Sequence, residues 1–249
     1  MSIGDAEIKT QERVIRFFKD PEILGYQYIG NLSDYQNKNI KEDRLRQYLR
    51  LKGYADKLVD AAVMQLQQEA GNLSRGVYDA NKTVYSRLKY GIPVSESPEK
   101  PPVTVQLVDE EKPLNNDFAI AEEVTVVEQS EKRPDLVVYL NGIAVAVIEL
   151  KRSSISVSEG IRQNLTNQKN SFIQSFFTTM QFCMAGNESE GLRYGTLLTG
   201  EKFYMEWKDD GFKEHEEERD SVDVRISKTC EGIENKLLKQ IYAMFDKER

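Results

Sequence analysis

The spacing of apolar residues divides this chain into a helical front and a strand-rich middle. Residues 6–19, AEIKTQERVIRFFK, bring Ile8, Val14, Ile15 and Phe18 near one face of a helix, which Pro21 ends. Residues 26–39 read as a polar, Asn-rich loop. Helices are predicted over 41–51 and 55–69, separated by Gly53, the second burying Leu58, Ala62, Val63 and Leu66. A third covers 77–90 and ends at Gly91. Residues 92–102 hold Pro93, Pro98, Pro101 and Pro102 and read as an extended connector rather than a domain boundary.

Beyond Pro102 the pattern becomes β-like. VTVQLV, FAIAEEVTVV, DLVVYL and IAVAVIEL are rich in β-branched residues and predict four strands. A helical stretch is expected from 157 to 184, then strands at 193–198 and 203–207. Residues 208–221 form a charged linker, and a last helix is predicted over 231–246. No internal repeat is visible. Helices, antiparallel strands, a helix and further strands make an α/β domain with an extra N-terminal helical layer. The expected organisation is a helical region over 1–92 packed on a core over 93–208, with the linker and last helix over 209–249.

Composition narrows the class. With 249 residues, 39% hydrophobic and 30% charged, the chain is large enough to bury a core and reads as a soluble globular protein. No apolar run reaches the roughly 18 residues of a membrane helix, and the N-terminus lacks a signal-peptide pattern. Cys183 and Cys230 are too few and too far apart for a disulfide framework, which suits reduced thiols in the cytoplasm. The net charge of −7 disfavours a protein that coats a polyanion unaided, since such a protein neutralises many phosphates with Lys and Arg. The single histidine, His215, lies in a charged run, which leaves no basis for a His-centred triad or a zinc site.

The chemistry concentrates in residues 133–152, RPDLVVYLNGIAVAVIELKR. Asn141-Gly142 is a hairpin signal between two strands; Asp135 opens the first, and Glu149 and Lys151 close the second. Two positions apart on a strand, Glu149 and Lys151 share a face. A carboxylate and an ammonium at the end of an otherwise apolar strand cost free energy unless something uses them. A lone E-x-K is as readily an ion pair at a sheet end, but the P-D pair and the NG turn favour a site. Register matters: a plain two-residue loop sets Asp135 opposite Ile148 and turns Glu149 to the other side. A three-residue loop, Leu140-Asn141-Gly142 with Gly142 left-handed, puts Asp135, Glu149 and Lys151 on one face, and this type I turn with a glycine bulge is the expectation. Two carboxylates and the intervening Leu150 carbonyl are hard oxygen ligands for Mg²⁺, and a neighbouring lysine can orient water or offset charge at a phosphoryl group.

This P-D, hairpin, E-x-K arrangement resembles the PD-(D/E)xK nuclease superfamily. Longer runs, among them VYDANKTVYSRLKYG, NDFAIAEEVTVVEQSEKRPDLVVYLNGIAVAVIELKRS, GIRQNLTNQKNSFIQSFFTTMQFCMAGNESEGLRYGT and EKFYMEWK, are similar to the N-terminal nuclease domain of type I restriction enzyme R subunits, over about residues 77–208. The resemblance implies a mixed central β-sheet with flanking helices, restriction-endonuclease-like. It implies metal ligands at Asp135 and Glu149, a catalytic lysine at Lys151, and Gln163 as the glutamine of a Q-x-x-x-Y motif whose tyrosine is replaced by Asn167. Some members carry a further acid on the first helix, for which Glu7 and Glu12 stand as candidates beside a plainer reading as solvated residues. Double-stranded DNA as substrate, Mg²⁺ as cofactor, and modification and specificity subunits as partners are implied. ATP is implied only for a full-length R subunit, since no G-x-x-x-x-G-K-[ST] occurs and the chain reads as an N-terminal piece. A stand-alone repair nuclease and a non-catalytic docking module are the alternatives. Of the remaining residues, Phe172, Phe176, Phe177 and Phe182 read as core, Trp207 as packing, and Arg193 as either a phosphate contact or an ion pair.

Overall fold

A computed structural model describes residues 3–34, 36–97, 99–207 and 221–249. At its centre is a sheet of β1 (Gln27–Asn31), β4 (Phe118–Glu122), β7 (Leu136–Leu140), β8 (Ile143–Leu150), β9 (Phe182–Asn187) and β10 (Gly191–Gly195), in that spatial order. β1 runs parallel to β4 and β8 parallel to β9, and the other neighbours are antiparallel, so the sheet is mixed. Two small ribbons stand apart, β2 (Ile92–Val94) with β3 (Val103–Val105) and β5 (Val126–Val127) with β6 (Glu131–Lys132).

Helices cover both sheet faces. On one lie α1 (Ile3–Lys19), α6 (Ser221–Glu231) and α7 (Lys236–Phe245), which bury Val14, Phe18, Ile226 and Ile241 against Leu136, Val138, Ala146, Ile148 and Leu150. The opposite face carries α5 (Val157–Asn167) and a 3-10 turn at Gln174–Thr179, whose Phe176 and Phe177 pack on Val137, Tyr139, Ala144 and Val147. The predicted N-terminal layer forms as α2 (Glu42–Leu51), α3 (Asp56–Gly71) and α4 (Val77–Tyr90), joined to the sheet through Ile143. Among the described residues, no helix is long and apolar enough to cross a membrane.

Several predicted elements differ in the structure. The loop predicted over 26–39 contains β1, an edge strand that its own sequence, QYIGN, does not signal and that pairing with β4 creates. The helix predicted over 157–184 stops at Asn167, and Phe182–Asn187 is instead a strand beside β8, where Gln181 N–H donates to Val145 O at 2.7 Å. Tertiary pairing there overrides a helical spacing of apolar residues. FAIAEEVTVV divides into β4 and β5 at Glu123, whose φ of 50° breaks the extended run. In place of a strand over 203–207 there is a single bridge between Tyr194 and Met205. The last helix begins at Lys236, behind an Asn235 cap, and Gly232 separates it from α6. The charged linker, His215 included, lies almost wholly outside the described residues.

The hairpin that places the candidate site also differs from expectation. Leu140 pairs with Ile143, so the loop is the two-residue Asn141-Gly142, with φ of 52° and 82°, not the three-residue glycine-bulge turn. The extra residue sits further along, because Tyr139 pairs with Ala144 whereas Val138 pairs with Ala146, leaving Val145 bulged. The bulge inverts the parity of β8. Before it, even-numbered Ala144 faces Phe176 and Phe177; after it, odd-numbered Val147 does. Glu149 therefore faces the same side as Val137 and Tyr139.

Candidate active site

The site assembles where β4 and β8 end and β7 begins. The Leu136–Ile148 pair is the last rung of the β7–β8 ladder, so register sets Asp135 level with Glu149. Asp135 is half-buried, and its Oδ2 accepts from Leu150 N at 2.7 Å, which ties the two strand ends together. Glu149 is fully buried. Its Oε2 accepts from Gln163 Nε2 at 2.7 Å, and its Oε1 accepts from no amide or hydroxyl donor among the described residues, while the Glu149 and Asp135 carboxyls lie close enough to share a proton. Lys151 Nζ lies 3.1 Å from both Leu150 O and Glu7 Oε1.

Each of these side chains is aimed by packing. α5 starts at a Ser156 cap, whose side chain accepts from Ser158 N. The helix then lies on β8 and β9, and Asn164 Nδ2 donates to Met184 O at 2.8 Å. Gln163 thus points at Glu149. Asn167, four residues on, is buried on the last turn, and its main-chain oxygen accepts from Ile173 N at 3.2 Å. The hydrogen bond that reaches Glu149 comes from Gln163 alone among these two.

Burial and like charge dominate the electrostatics. Burial raises the Asp135 carboxyl to about 6, against the pull of the Leu150 N–H and Lys151. Burial also lifts Glu149 well above the ordinary carboxylate range, and the neighbouring Asp135 lifts it further. Burial pulls the Lys151 ammonium down, but the charges of Asp135, Glu149 and Glu7 outweigh it and hold the group above its usual value. Two neighbouring acids that resist ionising together, next to a persistent cation, are a pairing that structural ion networks rarely need and that proton or cation chemistry can use.

Oxygen donors suited to a divalent cation are present: Glu149 Oε1, the Asp135 carboxylate and the Leu150 carbonyl. Among the described residues no group of three or more His, Cys, Asp or Glu side chains stands where it could hold a metal ion by itself.

The long sequence runs and the mixed sheet agree with one comparison. A family model described as type I restriction enzyme R protein N terminus matches residues 7–203. The chain belongs to that family. No curated protein matches it. The matched region of this R-protein N terminus includes every residue of the site, from Glu7 on α1 to Gln163 on α5.

Further residues adjoin the site. Of the two candidate acids on the first helix, Glu7 reaches Lys151, whereas Glu12 is exposed. Gln11, one turn after Glu7, is buried and donates to Glu122 Oε2 at 3.0 Å and Glu123 Oε1 at 3.1 Å. Glu122 also accepts from Tyr28 Oη, and Glu123 pairs with Arg133 at 2.7 Å. The signal for this group is the spacing Glu7, Gln11, Val14, Phe18, which continues an apolar helix stripe into polar residues. Of the other residues singled out, Arg193 pairs with Glu206 at 3.1 Å, and Trp207 packs against Tyr194 and Arg249. Phe176 and Phe177 are core, whereas Phe182 is partly exposed.

Proposed function

We propose that this chain is the Mg²⁺-dependent endonuclease domain of a type I restriction enzyme R subunit, hydrolysing DNA phosphodiester bonds without reading sequence itself. The observation that carries this reading is the fully buried Glu149, with one carboxylate oxygen accepting from no amide or hydroxyl donor among the described residues, level with Asp135 and beside Lys151. A buried acid with an unmet oxygen costs free energy that a bound cation recovers.

In this reading Asp135, Glu149 and the Leu150 carbonyl hold the cation. When bound, Mg²⁺ polarises the phosphoryl oxygens and lowers the pKa of a bound water. Asp135 is braced by the Leu150 N–H and Glu149 by Gln163, so both acids keep their orientation. Lys151 places a positive charge where negative charge develops on the phosphoryl group, and Glu7 and the Leu150 carbonyl hold its Nζ in the meantime. The domain's own charge of −7 suits delivery of DNA by other parts of the assembly. Choice of sequence belongs to a specificity subunit, methylation to a modification subunit, and ATP use to the motor of a full-length R subunit.

The test is Mn²⁺ or Mg²⁺ titration by calorimetry, with Asp135→Ala as the control. The wild-type chain is expected to bind one or more ions and the variant to lose that binding. Equal binding in both, or none in either, supports a docking module that ties a motor to its partners.

A further inference from the structure

α5 has a single glycine, Gly160, and it packs tightly against the sheet. A Cβ on Gly160 would lie 2.9 Å from Ala185 Cβ, 3.4 Å from Glu149 Cβ and 3.5 Å from Glu149 O. Ala185 and Glu149 are paired residues of β9 and β8, so both obstacles belong to one rung of the ladder. Both are fully buried, and neither close atom is the free end of a flexible side chain. A side chain at position 160 therefore has to lift the helix away from the rung.

Three residues later on that helix, Gln163 donates to Glu149 Oε2 at 2.7 Å. Positions three apart share a helix face, so a shift of the helix at Gly160 is passed directly to Gln163. Glycine is conformationally costly inside a helix and lacks a cap or turn role here, at φ in the helical range. Close approach of the backbones is the property it supplies.

We propose that Gly160 is a positioning residue for the site. It sets the depth of α5, and through that depth the hydrogen bond by which Gln163 orients Glu149 and leaves Oε1 open. The consequence for cation binding rests on the reading of Glu149 as a ligand; the contact itself does not.

Two measurements on the 249-residue chain separate these levels. Without metal, NMR of the Gln163 side-chain amide, assigned by its absence in Gln163→Ala, reports the hydrogen bond. Gly160→Ala is expected to shift that resonance toward the position of a solvated amide, and Gly160→Ala/Ala185→Gly, which removes the nearest obstacle, to restore it. With metal, Mn²⁺ calorimetry is expected to show about tenfold weaker binding in Gly160→Ala, as for removal of a partner that orients a ligand. Adding Gly160→Ala to Gln163→Ala is expected to weaken binding no further, because both act through one hydrogen bond.

An unmoved amide resonance in Gly160→Ala overturns the proposal. So does a loss of affinity that adds in full to that of Gln163→Ala, or a folded double variant that recovers neither readout. If Gly160→Ala does not fold, the comparison passes to Ala185→Gly with and without it, and failure to fold there as well overturns the proposal in favour of a packing role. A moved resonance with no Mn²⁺ binding in the wild-type chain keeps the positioning role and removes the metal reading instead.

Discussion

Asp135 lies level with Glu149 because Val145, ten residues from one and four from the other, is bulged out of the ladder between them. The tight Asn141-Gly142 turn alone would send the two carboxylates to opposite sides of the sheet, one toward α5 and one toward α1. One unpaired residue corrects the parity and delivers both to the Gln163 side. Bulges near functional sites re-aim side chains in this way.

Deletion of Val145 tests that relationship. The shortened strand would turn Val147 and Glu149 toward α1 and bring Ile148 under Phe176, exchanging the two faces of a tightly packed core. The expected result is loss of Mn²⁺ binding together with a stability loss of several kcal/mol, read by chemical denaturation. A deletion variant that melts like wild type and still binds Mn²⁺ would show that register does not place the acids.

The raised carboxyl pKa values give a pH dependence with a definite sign. An acid whose folded pKa lies above its unfolded value binds protons better when folded, so its contribution to stability is present at low pH and lost as pH rises through the window between the two values. For Asp135 that window runs from its ordinary value of 3.8 to about 6. The metal-free chain should therefore lose stability between pH 4 and pH 6 by more than Asp135→Asn does, by roughly 1–3 kcal/mol. Denaturant titrations across that range check the difference, and parallel curves for the two proteins would contradict it.

Cation binding should run the other way. Ligation needs deprotonated carboxylates, and burial and the neighbouring Asp135 both push the Glu149 carboxyl toward its protonated form, so protons compete with the cation. Mn²⁺ affinity is expected to rise with pH from 5 to 8, with net release of protons on binding. Calorimetry in buffers of different ionisation enthalpy measures that release directly.

Lys151→Ala belongs in a complete R subunit within its complex. The ammonium touches only Glu7 and Leu150 O among the contacts described above, so its removal leaves the fold and the motor intact. ATP use and translocation should persist while DNA cutting falls by about 100-fold or more. Cutting that survives at full rate would remove Lys151 from the chemistry.

Asn141 supports the hairpin from within the core as well as shaping the turn. It is fully buried; its Nδ2 donates to Leu107 O and Asn116 Oδ1, both at 2.8 Å, and its Oδ1 accepts from Asp117 N at 2.7 Å. Asn141→Ala strands these groups and leaves a residue disfavoured at positive φ, so a loss of about 3 kcal/mol is expected by denaturation. A loss under about 0.5 kcal/mol would place it among tolerated surface changes.

The local parts of the fold are legible from residue order alone. Helical periodicity marks α1 to α4, the NG pair marks the hairpin, and the apolar run ending in Glu149 and Lys151 marks where a charge has been placed at the end of a buried strand. These are decided by neighbours a few residues apart, through backbone preference and side-chain period. Only the tertiary structure decided what depends on distant partners. The edge strand β1, the turn of Phe182–Asn187 from predicted helix to strand, the bulge at Val145 and the arrival of Glu7 beside Lys151 all arise from pairing across long stretches of chain. No short window of residues carries their energy. Asp135 and Glu149 could be named from the sequence as residues of interest, but whether they shared a face turned on one unpaired valine that spacing did not reveal.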